Sequence, residues 1–84
     1  QGKYGEADPL YLRAIEIGEK TLGPDHPGLA TSVSNRAWLL QDQEKYTEAI
    51  PLLERALRIR TKKFGDNHPH TVSTRDRLER VREK

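Results

Sequence analysis

The chain has 84 residues, 33% of them hydrophobic and 33% charged, with a net charge of +2. That allows one small domain with a thin core, and the absence of cysteine removes disulfide staples, thiolate metal sites and a cysteine nucleophile. No apolar run approaches the roughly 18 residues of a membrane span, and no basic start followed by an apolar stretch marks a signal peptide, so a soluble, intracellular (cytoplasmic) protein is expected.

The first element begins in QGKYGEADPLYLRAIEI, Gln1 to Ile17. Ala7, Leu10, Tyr11, Ala14 and Ile17 form one apolar stripe on a 3.6-residue period, which predicts a helix over Gly5–Leu22. Pro9 lies near its start, where a missing amide costs little, and Gly23 follows the last periodic residue as helix-ending glycines do. Asp25-His26-Pro27 then opens the second helix. Proline is pre-organised for a first helical position, and the Asp before it can accept an orphan amide. Ala30, Val33, Ala37 and Leu40 carry the apolar face of this helix, which ends near Asp42.

The third element, QEKYTEAIPLLERALRI (Gln43 to Ile59), is a near copy of the first, starting 42 residues later. Over the first 20 positions of that overlap, 11 residues are identical, and LGPDHP (Leu22–Pro27) recurs as FGDNHP (Phe64–Pro69). Chance does not produce this, so the chain is built on a repeated 42-residue unit. Ala49, Leu52, Leu53, Ala56 and Ile59 repeat the first stripe and predict a helix over Tyr46–Phe64, closed by Gly65. The fourth helix follows Asn67-His68-Pro69 and is much more polar. Only Val72, Leu78 and Val81 are aliphatic, against Arg75, Arg77, Arg80 and Arg82, as suits the outer end of a stack.

Charge is uneven along the chain. Residues 1–42 hold 4 Lys/Arg and 6 Asp/Glu, while residues 43–84 hold 11 and 7. The basic half, with RALRIRTKK at Arg55–Lys63, raises nucleic acid as a lesser alternative. Its cations are interleaved with Glu54, Asp76, Glu79 and Glu83, which favours a solvated helix face. Catalytic and cofactor motifs are absent: there is no glycine-rich phosphate loop, no HExxH and no serine nucleophile motif. No catalytic residue, cofactor or metal site is therefore assigned. His26 and His68 occupy equivalent places in the two copies. Duplication at one period suits hydrogen-bonding anchors of a repeated helix start better than metal ligands; His70 has no counterpart.

These features resemble the tetratricopeptide repeat. Ala37, Ala49 and Ala56 occupy the motif's three small positions where paired helices cross, Leu53 its large position, and Ala7, Tyr11 and Ala14 match in the earlier copy. The 42-residue period, the LGPDHP connector and the KY-x-EA-x-PL opening are similar to the kinesin light chain and nephrocystin-3 variety. The resemblance implies an all-α fold of antiparallel helix-turn-helix repeats stacked as a right-handed solenoid, with about four helices and no strands. Residues 1–26 would be the second helix of one repeat with its connector, 27–68 a complete repeat, and 69–84 a polar capping helix. Arg36, where leucine is usual, Glu44, where the first copy has Gly2, and Arg75, Glu79 and Arg82 depart from the pattern.

The resemblance further implies a non-catalytic protein–protein interaction module, an adaptor or scaffold, whose first helices line a concave groove for a peptide or partner helix. Thr31, Ser34, Asn35, Trp38, Gln41 and Asp42 form the expected groove face of the second helix, and Ser73, Asp76, Arg77 and Arg80 that of the fourth. Trp38 would supply contact area, Asn35 orientation and Arg77 a grip on a carboxylate. Trp38 packed inside the core is the competing reading. A structural role is the alternative function, with self-association through an open N-terminal end.

Overall fold

The computed structural model describes residues 4–84, with side chains from residue 8 onward. It contains α1 (Tyr4–Thr21), α2 (Pro27–Asp42), α3 (Tyr46–Phe64) and α4 (Pro69–Arg82), with no strand among the described residues. Each helix packs on the next in chain order, giving a slab of 37 × 34 × 17 Å.

The helix ends show why the chain turns where it does. Gly23 and Gly65 have φ of 95° and 90°, a region that glycine enters without steric cost. After α2 the turn is tighter. Lys45 N–H donates to the Leu40 carbonyl at 2.8 Å and Glu44 N–H to the Gln41 carbonyl at 2.9 Å, a paired closure that needs a left-handed residue. Here that residue is Glu44, with φ of 61°, although glycine suits the position better. At the starts of α2 and α4 the expected histidine anchors form, and they displace the expected Asp or Asn cap. The capping side chains are His26 and His68, not Asp25 or Asn67. His26 Nδ1 accepts from Gly28 N–H at 3.0 Å and His68 Nδ1 from His70 N–H at 3.1 Å. Asp25 turns instead toward α3, 3.4 Å from Arg58 and 3.6 Å from Lys62.

Two apolar clusters hold the stack. Ile15, Leu29, Ala30, Val33, Ala56 and Ile59 form one, and Ala37, Leu40, Ala49, Leu53, Leu78 and Val81 the other, with Leu52 against both. Ala37, Ala49 and Ala56 are fully buried, and Leu53 between them is among the largest fully buried side chains. Small residues there let helices approach to the close end of the usual ~8–10 Å spacing.

The stripe expected on α1 is not the face that packs. Leu10 is 68% and Ile17 52% exposed, Ala14 is exposed, and Tyr11 is half-buried. The buried residues are Ile15 and Gly18, about a fifth of a turn round the helix. The physical reason is the position of α1 in the stack. In α3 the stripe packs against α2 and the flank against α4, whereas the described residues of α1 pack mainly on α2, through the flank, with Glu19 reaching Arg55 of α3. Ala7 lies outside the described side chains. On α4 the aliphatic Val72 faces outward, and Thr71 and Thr74 join Leu78 and Val81 in the buried face. Threonine serves there because its hydroxyl finds a partner: Thr74 Oγ1 donates to the His70 carbonyl at 2.7 Å and Thr71 Oγ1 to that of Arg60 at 3.3 Å. Pro9 and Pro51 are each the sixth residue of their helix, deeper than the start expected for Pro9, but both lie on exposed faces where water can solvate the freed carbonyl.

Candidate functional site

The last turns of α2 and α4 lie side by side and enclose an open groove of about 470 Å³ lined by Trp38, Gln41, Arg77, Arg80, Val81, Glu83 and Lys84. The two helices run in the same direction, each separated from the other in sequence by α3. Residues at one depth in both helices are therefore repeat-equivalent, Trp38 with Arg80 and Asn35 with Arg77.

Trp38 is 56% exposed, so it belongs to the surface and not to the core. Its ring is held on one side by Arg77, whose guanidinium carbon sits 5.0 Å from the ring centroid. Arg77 reaches back over α2: Nη2 donates to Gln41 Oε1 at 2.9 Å and to the Ser34 carbonyl at 3.4 Å. Its Nε–H is buried without an acceptor. Burial, then the charges of Arg60 and Arg80, hold Arg77 below the usual guanidinium value. Arg60, on α3, is likewise lowered by burial, and its Nη1 donates to Thr74 Oγ1 at 2.7 Å. Among the described residues, no ion pair is formed by Arg60, Arg77 or Arg80. The groove floor is thus a fixed, partly desolvated positive charge beside an accessible aromatic ring. Such a surface favours a carboxylate next to an apolar group.

The expected groove residues divide in the structure. Trp38, Gln41, Arg77 and Arg80 come together in the groove. Thr31 and Asn35 on α2 and Ser73 and Asp76 on α4 are exposed but do not line it. Asp42 is exposed at the end of α2, outside the lining. Ser34 is a correction: it is buried beneath Arg77, with its Oγ lacking a hydrogen-bond partner, and offers nothing to a ligand. Sequence reasoning missed Val81, Glu83, Lys84 and the contribution of Arg60 to the local field. The repeat alignment held a signal for Arg60, since it replaces Gly18 at an equivalent position. Nothing in the pattern marked the last residues.

The basic stretch on α3 is largely engaged within the chain. Arg55 lies 2.6 Å from Glu19 and donates to the Pro24 carbonyl at 3.2 Å, and Arg58 and Lys62 flank Asp25. No group of three or more potential metal ligands occurs among the described residues. None of their helices is long and apolar enough to cross a membrane.

No curated protein matches the chain. The tetratricopeptide repeat profile matches residues 1–62 and again 34–84, so the two matches together span every residue and overlap across the second and third helices. A match over the whole length, on a fold of helices stacked in chain order around buried small residues, means that the chain belongs to the tetratricopeptide repeat family.

Proposed function

We propose that the chain is a non-catalytic binding module whose groove takes a segment of a partner protein carrying an acidic residue beside an apolar one. Tetratricopeptide repeats generally mediate protein–protein interactions. The observation that carries the specific reading is the pairing of an exposed Trp38 with Arg77 and Arg80, cations that form no ion pair among the described residues. Trp38 supplies contact area at little conformational cost. Arg77 is already ordered by Ser34 and Gln41, so less freedom is lost when a carboxylate arrives. Asn35 and Ser73 extend the surface along α2 and α4 without forming the centre. An adaptor role of the kinesin light chain type, and a division into connector, complete repeat and capping helix at residues 26/27 and 68/69, remain part of this proposal; their support is the 42-residue period and the connector sequence.

A peptide-display screen against the whole chain tests it, repeated with Trp38→Ala, Arg77→Ala and Asn35→Ala. The expected result is an acidic consensus abolished by the first two substitutions and retained by the third. No enrichment, or enrichment indifferent to Trp38 and Arg77, overturns the reading. Nucleic-acid binding is the weaker reading because Arg55, Arg58 and Lys62 are engaged by Glu19 and Asp25. Phosphate contacts would reveal themselves by affinity falling steeply with salt.

A further inference from the structure

The 42-residue repeat sets Arg60 where the first copy has Gly18. Arg60 lies four residues after Ala56 and seven after Leu53, on the seam of α3 that meets both α2 and α4. Its Nη1 crosses to α4 and donates to Thr74 Oγ1 at 2.7 Å, an uncharged partner. Thr74 stands one turn before Arg77 on α4, a rise of about 4.5 Å. The guanidiniums of Arg60 and Arg77 therefore follow one another along the channel between α2 and α4. Burial lowers both from the usual guanidinium value, and the charge of Arg60 lowers Arg77 further. They stand apart from Arg36, Arg55, Arg58, Arg75 and Arg82, each of which has a carboxylate at 2.6–3.6 Å. A partly desolvated cation without an anion is unfavourable, and two close together are more so. Arg77 also holds a buried Nε–H with no acceptor.

We infer that Arg60 forms a second anion subsite one turn from Arg77, and that the groove takes an extended partner segment with two acidic side chains two residues apart. This subsite presupposes the groove at Trp38 and Arg77 as the docking surface. A segment lying along the channel meets the two cations in turn. In an extended chain neighbouring side chains point to opposite faces, while residues i and i+2 share a face about 6.6–6.8 Å apart. Two apart is thus the shortest spacing that turns both acids to one side. It exceeds the helical rise by about 2 Å, which two long arginine side chains take up. Asn35, exposed on α2 at the depth of Arg77, offers both a donor and an acceptor, and only an extended backbone has both groups free to meet them.

Trp38, the sole tryptophan, supplies the signal for a titration of the whole chain. The probes are acetylated, amidated peptides with one leucine in a glycine–serine background. They carry one glutamate, or two glutamates adjacent, two apart or four apart, with the leucine before or after them. The two-apart peptide should bind about tenfold more tightly than the single-glutamate peptide, and the other spacings should gain little. Arg60→Gln should remove that gain and leave the single-glutamate affinity unchanged, which also shows that the variant is folded. Arg60→Lys should keep part of the gain, and Arg77→Gln should weaken every peptide. A single-glutamate peptide bound through Trp38 and Arg77, with no gain from a second acid, overturns the second subsite and leaves the groove standing. So does a gain indifferent to spacing, a gain that survives Arg60→Gln, or tighter binding of a peptide with one phosphoserine in place of the two acids. If no peptide binds in a manner that depends on Trp38 and Arg77, the groove and the second subsite fall together.

Discussion

The α1–α2 and α3–α4 junctions are the same crossing written twice, and they place their polar contacts at opposite ends. At one end of the first junction Asp8 and Arg36 form an ion pair at 2.7 Å. The equivalent residues of the second are Ile50 and Leu78, which pack in an apolar cluster. At the other end the relation reverses. Gly18 leaves room for Leu29, which is buried in the first junction. Arg60 and Thr71 take those places in the second, with Thr71 Oγ1 bonded to the Arg60 carbonyl and Arg60 to Thr74. The residues change in pairs, so each junction stays satisfied, yet a residue moved alone from one to the other meets the wrong partner. Two near-identical helices are thereby kept to their own neighbours, a form of specificity that apolar packing alone would not provide.

The largest effect should come from breaking that pairing where space is tightest. A Cβ at Gly18 would overlap Leu29 Cδ2, so Gly18→Arg is expected to cost about 3 kcal/mol, overpacking and a misplaced charge acting together. Leu29→Thr in the same chain should recover at least about 1 kcal/mol, measured as the coupling in a double-mutant cycle of urea unfolding. Additive losses would mean the two positions are not keyed to each other.

The ion pair at the other end is a smaller lever. Arg36 and Asp8 are partly buried, so removing either alone should cost about 1–2 kcal/mol by leaving the other charge uncompensated. Installing the second junction's residues together, Asp8→Ile with Arg36→Leu, should be neutral or stabilising in the same unfolding measurement. A double variant weaker than both singles would show that the first junction requires charge.

The two histidine caps offer a finer comparison. His26→Ala should cost about 1 kcal/mol, the usual worth of an N-cap acceptor. His68→Ala should cost a few tenths more, because His68 also stacks on Phe64 at 4.3 Å between ring centroids. The ordering of the two transition midpoints is the readout. Glu44→Gly should move stability the other way, by about 1 kcal/mol, since it relieves a left-handed non-glycine residue at an exposed position. Hydrogen exchange at the Lys45 amide should slow accordingly.

Much of this was legible in the residues. The period gave four helices with bounds close to those observed, and Ala37, Ala49, Leu53 and Ala56 stood out as crossing residues. Position in the repeat singled out Trp38, Gln41, Arg77 and Arg80, and the fold brings these four to one groove. Ser34 was misplaced because it sits at the boundary of the buried and exposed faces, where a shift of one helical position changes its environment. The α1 stripe misled because a pattern records which residues suit burial, and burial also requires a neighbour.

The order of the helices, their lengths and their turn glycines follow from the sequence by itself, because apolar period, proline and glycine act over a few residues. Which face of α1 is covered, whether Trp38 meets water, and which charges stay uncompensated beside it were decided only by the tertiary structure. Those properties depend on groups brought together from distant parts of the chain. Arg77, for one, takes its contacts from Ser34, Trp38 and Gln41 across the whole intervening helix.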